Sequence, residues 1–303
     1  MSIQPGQNRL RRPPRPSFTL AELLVVIAII GVLASMTLFA FYGVREDARE
    51  RRARAQVTKI HELIMRKWES YRTRPVPVDR PRDPRPQLAA QKRLYALREL
   101  MRMELPDRKA DVMRGFTYLA LEEPPSLCRA YQRRAVSSWD EEYESGECLY
   151  LILATMRDGD TTGLDFFPED EIGDVDADGM PEILDPWGVP IRFLRWAPGF
   201  QSDIQTGPRE ALADDDSFNP DPFDPLKVDE RWEDDDPSND PFALYPLIVS
   251  GGRDKQFNES GWNRTLSADD GRYDDPYSDA RAHLGSQGPE SSDNITNHFL
   301  EVR

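Results

Sequence analysis

The sequence predicts an α+β fold in which one long N-terminal helix precedes a helical region and a small C-terminal antiparallel β-sheet. Residues 23–44 carry no charged side chain, and residues 45–71 continue without proline or glycine. Residues 87–103 are strongly helix-forming, and further helical candidates follow up to residue 156. From Thr161 onward, aspartate, glycine and proline separate short β-branched runs, which is the pattern of short strands joined by loops.

The uncharged run is 22 residues long, from Leu23 to Val44. At about 1.5 Å per residue, a helix of that length crosses a bilayer core of about 30 Å. The arginines before it, with no acid among them, are Arg9, Arg11, Arg12 and Arg15. Positive charge keeps that end of a membrane helix in the cytoplasm. A secretory signal peptide would have a shorter apolar core with its small-residue cleavage site after it, whereas here Ser17 comes before the core.

One carboxylate, Glu22, stands at the start of this apolar segment. A charge in a membrane helix costs roughly 2.5–3.5 kcal/mol at the bilayer centre and less near the interface. Such a residue is a functional candidate, and it needs a cationic partner.

The stretch Pro16-Ser17-Phe18-Thr19-Leu20-Ala21-Glu22 resembles the signal of type IV prepilins and type II secretion pseudopilins. In that family a prepilin peptidase cuts after a small residue, usually glycine, and methylates the new N-terminus. The resemblance implies cleavage between Ser17 and Phe18, methylation of Phe18, and pairing of Glu22 with the Phe18 amino group of a neighbouring subunit. An ordinary signal anchor with a chance glutamate is the alternative.

The predicted organisation follows these changes in composition. It comprises a basic leader (1–17), a transmembrane part of the helix (18–44), a soluble stalk (45–72), a proline-rich linker (73–86), a helical region (87–156) and an acidic, loop-rich β domain (157–303). The stalk residues at helical spacing, which predict its buried face, are Ala48, Ala55, Ile60, Leu63, Ile64, Lys67 and Tyr71. Further helices are predicted at 87–103, 107–121, 129–138 and 147–156, and strands at 191–196 and 244–249.

Charge divides unevenly along the chain. Residues 1–134 contain 27 basic and 14 acidic side chains, a net charge of +13, while the remainder contains 12 and 40, a net charge of −28. A basic region can indicate nucleic-acid binding. Here the arginines are interleaved with acids and no nucleic-acid fold signature occurs, so we expect a solvated stalk and no nucleic-acid partner. The acidic part favours an exported, cation-binding domain.

The two cysteines, Cys128 and Cys148, fall in the part predicted to lie outside the cytoplasm, where a disulfide persists. A bond between them would close a loop of about 20 residues and stabilise the fold by roughly 3 kcal/mol. Two buried, unpaired thiols are the alternative.

The turn Asp174-Val-Asp176-Ala-Asp178-Gly179 has the alternating oxygen ligands of a calcium loop, with a glycine that permits the sharp bend. The twelfth position is Asp185 rather than glutamate, and Pro181 stands where an EF-hand usually has an aliphatic residue. The pattern therefore predicts a looser calcium turn rather than an EF-hand, with a solvated acidic turn as the alternative.

Two further stretches resemble the major pseudopilins of type II secretion. Asp185-Pro186-Trp187-Gly188 resembles a structural turn in which Trp187 is buried between sheet and stalk, while Gly188 fixes the bend. The loop from Ser250 to Asp254 and the ending from Asp293 to Asn297 resemble the calcium site of that family. The resemblance implies Ser250, Asp254 and Asp293 as Ca²⁺ ligands, with turn chemistry as the alternative.

No catalytic residue is predicted. The three histidines are far apart in sequence, and no nucleophile elbow, P-loop or zinc spacing occurs. The sequence therefore predicts a pilin-like structural subunit that is assembled from the inner membrane, with its C-terminal domain in the periplasm, for type II protein secretion. Expected partners are prepilin peptidase, other pilin or pseudopilin subunits, the inner-membrane assembly platform and membrane lipid. The alternative is a membrane-anchored exported enzyme or calcium-binding module.

Overall fold

The computed structural model describes residues 19–79, 85–200, 202–208, 218–233, 236–257, 275–277 and 293–299. The chain divides into two compact units, Met1–Ala48 and Arg49–Arg303. The described residues form α-helices and small antiparallel sheets, so the broad α+β prediction is confirmed.

Helix α1 runs without interruption over Leu20–Ser70, as the long apolar and proline-free stretch predicts. Its segment Leu20–Thr37 has a mean hydropathy of 2.4, and none of that segment is buried in the protein. Within the described part of the chain, α1 is the one helix whose length and composition suffice to cross a membrane.

In the second unit, one face of α1 enters the hydrophobic core. Its fully or almost fully buried apolar residues are Ala53, Val57, Ile60, Ile64 and Trp68, and Tyr71, directly after the helix, is buried as well. The predicted face was right at Ile60, Ile64 and Tyr71 and wrong at Ala48 and Ala55, which are exposed. At 3.6 residues per turn, Ala53, seven positions before Ile60, lies on the same face of the helix as Ile60. Ala55, five positions before Ile60, lies well to one side of that face.

Among the described residues, four shorter helices follow, α2 (Pro86–Glu104), α3 (Lys109–Met113), α4 (Ser126–Arg134) and α5 (Glu144–Thr155). Helix α2 starts at a proline because the first helical position needs no N–H donor. The apolar side chains of α5 are buried in the core, as its composition predicts. Helix α3 is shorter than the helix predicted over 107–121. Helix α4 begins and ends earlier than the helix predicted over 129–138.

Seven short strands occur in the described ranges. Strands β1 (Arg157–Asp158) and β2 (Thr161–Thr162) form a hairpin, and β3 (Ile172–Gly173) pairs with β4 (Glu182–Ile183). A three-stranded antiparallel sheet has the order β5 (Arg192–Leu194), β6 (Leu247–Ser250) and β7 (Ile295–Thr296). Strand β5 falls within the predicted range 191–196, and β6 overlaps the predicted range 244–249 but begins later and ends one residue beyond it, at Ser250. Strand β7 was not predicted.

Helix α5 packs against β4 and β5. The contact is close at Gly146, where an added Cβ would lie 3.2 Å from the Ile191 carbonyl oxygen and 3.6 Å from the Glu182 side chain. The missing side chain therefore lets the first turn of α5 lie directly against β4, and this contact positions the acidic residues described next.

Candidate metal centre and assembly residues

The acidic turn between β3 and β4 is held by hydrogen bonds to its own backbone. The Gly179 N–H donates to Asp174 Oδ2 at 3.0 Å, and the Asp178 N–H donates to Asp176 Oδ1 at 3.3 Å. Ala177 and Gly179 have φ angles of +61° and +96°, so the chain bends through the left-handed region. The turn thereby places Asp176 and Asp178 in one group of possible ligand atoms, whereas Asp174, the first of the three predicted ligands, lies in no such group among the described residues.

The structure gathers more carboxylates around this turn than the sequence indicated. Two groups of three share Asp176, namely Asp140 with Asp176 and Asp178, and Glu147 with Asp176 and Glu182. Within each group the ligand atoms all lie within 4.8 Å of one another. Calcium–oxygen distances of about 2.3–2.6 Å place opposite ligands about 5 Å apart, so either group can hold a metal ion. We call Glu147, Asp176 and Glu182 the acidic trio.

Burial dominates the electrostatics of the trio. Glu147 and Glu182 are both 0% exposed. The pKa of Glu147 is raised to about 9, chiefly by burial. The hydrogen bond donated by the Trp139 indole N–H lowers this pKa, whereas the nearby charge of Asp178 raises it. Burial likewise raises the pKa of Glu182 to about 8, although the Val175 N–H donates to its Oε2 at 3.2 Å.

Each member of the trio keeps one buried oxygen without a hydrogen-bond partner. These atoms are Glu147 Oε1, Asp176 Oδ2 and Glu182 Oε1. A buried acceptor that has neither a donor nor water destabilises the folded state. Three such oxygens in one cluster indicate a ligand-binding position rather than a closed hydrogen-bond network.

The C-terminal loop and the chain ending also meet. The Asp254 N–H donates to Asp293 Oδ2 at 2.9 Å, so the structure brings together two of the three calcium ligands implied by the resemblance. The third, Ser250, is buried and donates its hydroxyl to Asp185 Oδ2 at 2.7 Å. Among the described residues, groups of three or more acidic, cysteine or histidine ligands occur only around the acidic turn.

The turn that begins at Asp185 is structural. Asp185 Oδ1 accepts hydrogen bonds from the backbone N–H groups of Trp187 at 2.9 Å and Val189 at 3.0 Å. Gly188 has a φ of +78°, which its lack of a side chain permits, and Trp187 is buried in the main core. Because Ser250 binds the other oxygen of Asp185, this turn also fastens the end of β6.

Of the predicted assembly residues, Ser17 and Phe18 lie outside the described residues. Glu22 is exposed in the first turn of α1. Its Oε2 accepts hydrogen bonds from the N–H and the hydroxyl of Thr19, both at 2.9 Å, and its own N–H donates to Thr19 Oγ1 at 3.2 Å. This reciprocal arrangement is a capping box, so Glu22 also stabilises the start of the helix.

The thiols of Cys128 and Cys148 are both free and buried, so the structure has the unpaired arrangement that the sequence left open. The Cys128 thiol donates to the Val112 carbonyl oxygen at 3.6 Å, and burial raises its pKa to about 11. A buried thiol with a raised pKa is unreactive, and this indicates a packing role for Cys128.

Sequence reasoning missed Asp140, Glu147 and Glu182 as members of the acidic cluster. Glu182 occupies the ninth position counted from Asp174, which is a ligand position in calcium loops, and this signal was available. Glu147 precedes an apolar run that only indicates a core helix, so nothing local connects it with the turn.

Comparisons with protein-family models, with curated proteins and with solved structures found no match to this chain.

Proposed function

We propose that the chain is a structural subunit of a pseudopilus or type IV pilus-like filament that serves type II protein secretion. The observation that carries the proposal is α1, one uninterrupted helix with an exposed apolar half and a half that packs in a core. Glu22 is the one charged residue between Leu20 and Val44. A lone carboxylate on an otherwise apolar helix is costly in lipid unless a cation from another molecule meets it.

In this proposal the precursor spans the inner membrane with its N-terminus in the cytoplasm and its second unit in the periplasm. Prepilin peptidase cleaves between Ser17 and Phe18 and methylates Phe18. The assembly platform then lifts the subunit out of the lipid, and its apolar helix packs against those of other subunits. The small residues Gly31 and Ser35 favour close helix approach, since the Ser35 hydroxyl is satisfied within its own helix at 2.7 Å from the Val32 carbonyl oxygen.

Calcium is the proposed cofactor. The net charge of −28 over residues 135–303 makes cation binding favourable. One candidate site is the C-terminal loop with Ser250, Asp254 and Asp293, and the other is the acidic turn with Asp174, Asp176 and Asp178. An ion that binds only the folded state stabilises it by roughly 2.7 kcal/mol at a hundredfold excess over its Kd.

The second candidate function is a membrane-anchored, exported calcium-binding module. The observation that favours it is the acidic trio, whose buried oxygens without partners lie in a unit that has its own core. In this case α1 is only an anchor, and the exported unit binds calcium without joining a filament.

The first part of the test measures cleavage and methylation of the N-terminus. Mass spectrometry of the mature protein should find Phe18 as the first residue, carrying one methyl group. An intact leader in cells with active prepilin peptidase would refute the proposal.

The second part of the test measures assembly of the subunit into filaments. Glu22→Ala should leave membrane insertion and cleavage intact, because removing a charge makes insertion easier, and should strongly reduce the amount of subunit in sheared filaments. Asp47→Ala, which removes an exposed acid beyond the apolar segment, is the matched control and should assemble normally. Normal assembly of Glu22→Ala would refute the pairing of Glu22 with the Phe18 amine, whereas absence of the unmutated protein from sheared filaments would favour the anchored module.

A further inference from the structure

Three structural elements supply the acidic trio. Glu147 lies in the first turn of α5, Glu182 lies on β4, and Asp176 lies in the turn that precedes β4. Their convergence depends on the close approach of α5 at Gly146. Two of the three side chains are therefore held by regular elements, which fix a ligand's position better than a loop does.

The charges that act most strongly on the trio are negative. Those acting on Glu147 come from Asp178, Glu182 and Asp176, and those acting on Glu182 come from Asp176, Asp174 and Asp178. The hydrogen bonds to these two side chains come from neutral donors, the Trp139 indole and the Val175 backbone. Burying carboxylates together without a cation is strongly unfavourable, so the folded state needs either protons or a metal ion here.

The partnerless oxygens distinguish these two possibilities. Glu147 Oε1, Asp176 Oδ2 and Glu182 Oε1 have no hydrogen-bond partner, and one proton can join at most two carboxylate oxygens. A single cation can contact one oxygen of each residue, because the three residues offer ligand atoms within 4.8 Å of one another. One ion can therefore bind all three residues at once, which a single proton cannot do.

We propose that Glu147, Asp176 and Glu182 bind one divalent cation between the first turn of α5 and the β3–β4 hairpin, and that the cation is calcium. This inference deepens the calcium proposal by naming Glu147 and Glu182 as ligands, and it does not depend on filament assembly. An all-carboxylate set favours hard cations over zinc or copper. Calcium accepts irregular oxygen geometry, whereas magnesium requires a near-ideal octahedron with distances of about 2.0–2.1 Å.

The proposed ion has a structural role. It links α5, which lies in the core, to the hairpin whose second strand leads into the turn at Asp185. Asp140 and Asp178 lie beside the trio and share Asp176 with it in the second acidic group. These two residues therefore supply an outer group of carboxylates through which an ion can reach the trio.

The test uses the full-length protein in detergent, freed of metal with a chelator and titrated with Ca²⁺ alone. We expect saturable binding of one ion by the trio and a higher melting temperature in calcium than in chelator. Glu147→Gln, Glu182→Gln and Asp176→Asn keep the side-chain shape and remove one charge each. Each should weaken binding at least tenfold and remove most of the calcium-dependent shift.

Two control variants make the result specific. Glu141→Gln changes an exposed acid in the same segment and should bind calcium like the unmutated protein. Asp254→Ala tests the C-terminal loop instead. Calcium binding that survives the trio variants but is lost in Asp254→Ala would overturn the proposal.

A terbium titration keeps the test decisive if a trio variant fails to fold. The Trp139 indole is hydrogen-bonded to Glu147, so excitation of tryptophan should sensitise Tb³⁺ bound by the trio in the unmutated protein, and Ca²⁺ should compete. Trp139→Phe should abolish the sensitised emission. Absence of both sensitised emission and a calcium shift would show that protons alone neutralise the trio. Cleavage at Ser17 is measured separately, so either proposal can fail without the other.

Discussion

Gly252 is the residue at which the loop after β6 meets the end of the chain. Its φ is +66°, and an added Cβ would lie 2.3 Å from the Asp293 carbonyl oxygen. Both the left-handed backbone and the close approach therefore require glycine at this position. The same loop brings the Asp254 N–H to Asp293 Oδ2, so this close approach lies next to the two candidate ligands.

We expect Gly252→Ala to lower the free energy of unfolding by roughly 3 kcal/mol or more, because backbone strain and a steric clash add together. Gly159→Ala is a matched control, since Gly159 has a φ of +65° but no atom within 4 Å of an added Cβ. It should cost about 1–2 kcal/mol from the left-handed backbone alone. Urea unfolding of the full chain in detergent measures both, and equal losses would contradict the predicted clash.

Individual site residues were predictable only where their neighbours in sequence carry the signal. The alternation of Asp174, Asp176 and Asp178 suffices to predict a turn of carboxylates. The twelfth position of that loop, Asp185, is instead used by backbone N–H groups of the next turn. Glu147 joins the cluster only because α5 packs on β4, and such a tertiary contact leaves no local pattern.

At the scale of elements, a buried ionic cluster connects α1, the segment after it and α2. Glu104 at the end of α2 accepts a hydrogen bond from the Tyr71 hydroxyl at 2.9 Å and forms ion pairs with Lys67, at 2.6 Å, and with Arg74. Burial raises the pKa of Glu104, but the hydrogen bond from Arg74 and the charge of Lys67 outweigh it and lower the pKa below its usual value.

Glu104→Ala should destabilise the protein by about 3–5 kcal/mol, because it leaves two partly buried cations without their carboxylate. Glu50→Ala removes an exposed ion pair with Arg54 within α1 and should cost at most about 0.5 kcal/mol. Denaturant midpoints compare the two variants. A small effect of Glu104→Ala would mean that solvent reaches Lys67 and Arg74 when the acid is absent.

The elements themselves were more predictable than their contacts. The length of α1 follows from an apolar run continued by residues without proline or glycine. The buried face of α1 does not follow from the sequence in the same way. Ala53 and Gln56 are both buried, yet they carry little hydrophobic signal among the surrounding arginines. Strand β7 is only two residues long, and it exists through pairing with β6 rather than through its own composition.

At the scale of the whole molecule, the first helix and the last described segment are joined. The Asn297 amide lies 3.0 Å from His61 Nδ1 on α1, across 236 positions of sequence. The next residue, His298, is buried, with Nδ1 2.9 Å from Ser202 Oγ and Nε2 3.1 Å from the Pro246 carbonyl oxygen. No sequence pattern spans such a distance, so this closure of the fold could not be predicted.

This closure makes stability depend on pH. Burial lowers the pKa of His298 to about 4, against an ordinary value of 6.5, while its hydrogen bond to Pro246 opposes the shift. The unfolded chain therefore takes up a proton first as the pH falls. The contribution of His298 is complete above about pH 6.5 and is lost as the pH falls towards 4.

We expect His298→Gln to destabilise the protein by on the order of 2 kcal/mol at pH 8, where the neutral imidazole makes both contacts. The difference from the unmutated protein should shrink towards pH 4, because the histidine's advantage disappears there. Both proteins carry the same carboxylates, so subtracting their unfolding free energies at each pH isolates this one titration. A difference that stays constant from pH 8 to pH 4 would contradict the lowered pKa of His298 in the folded state.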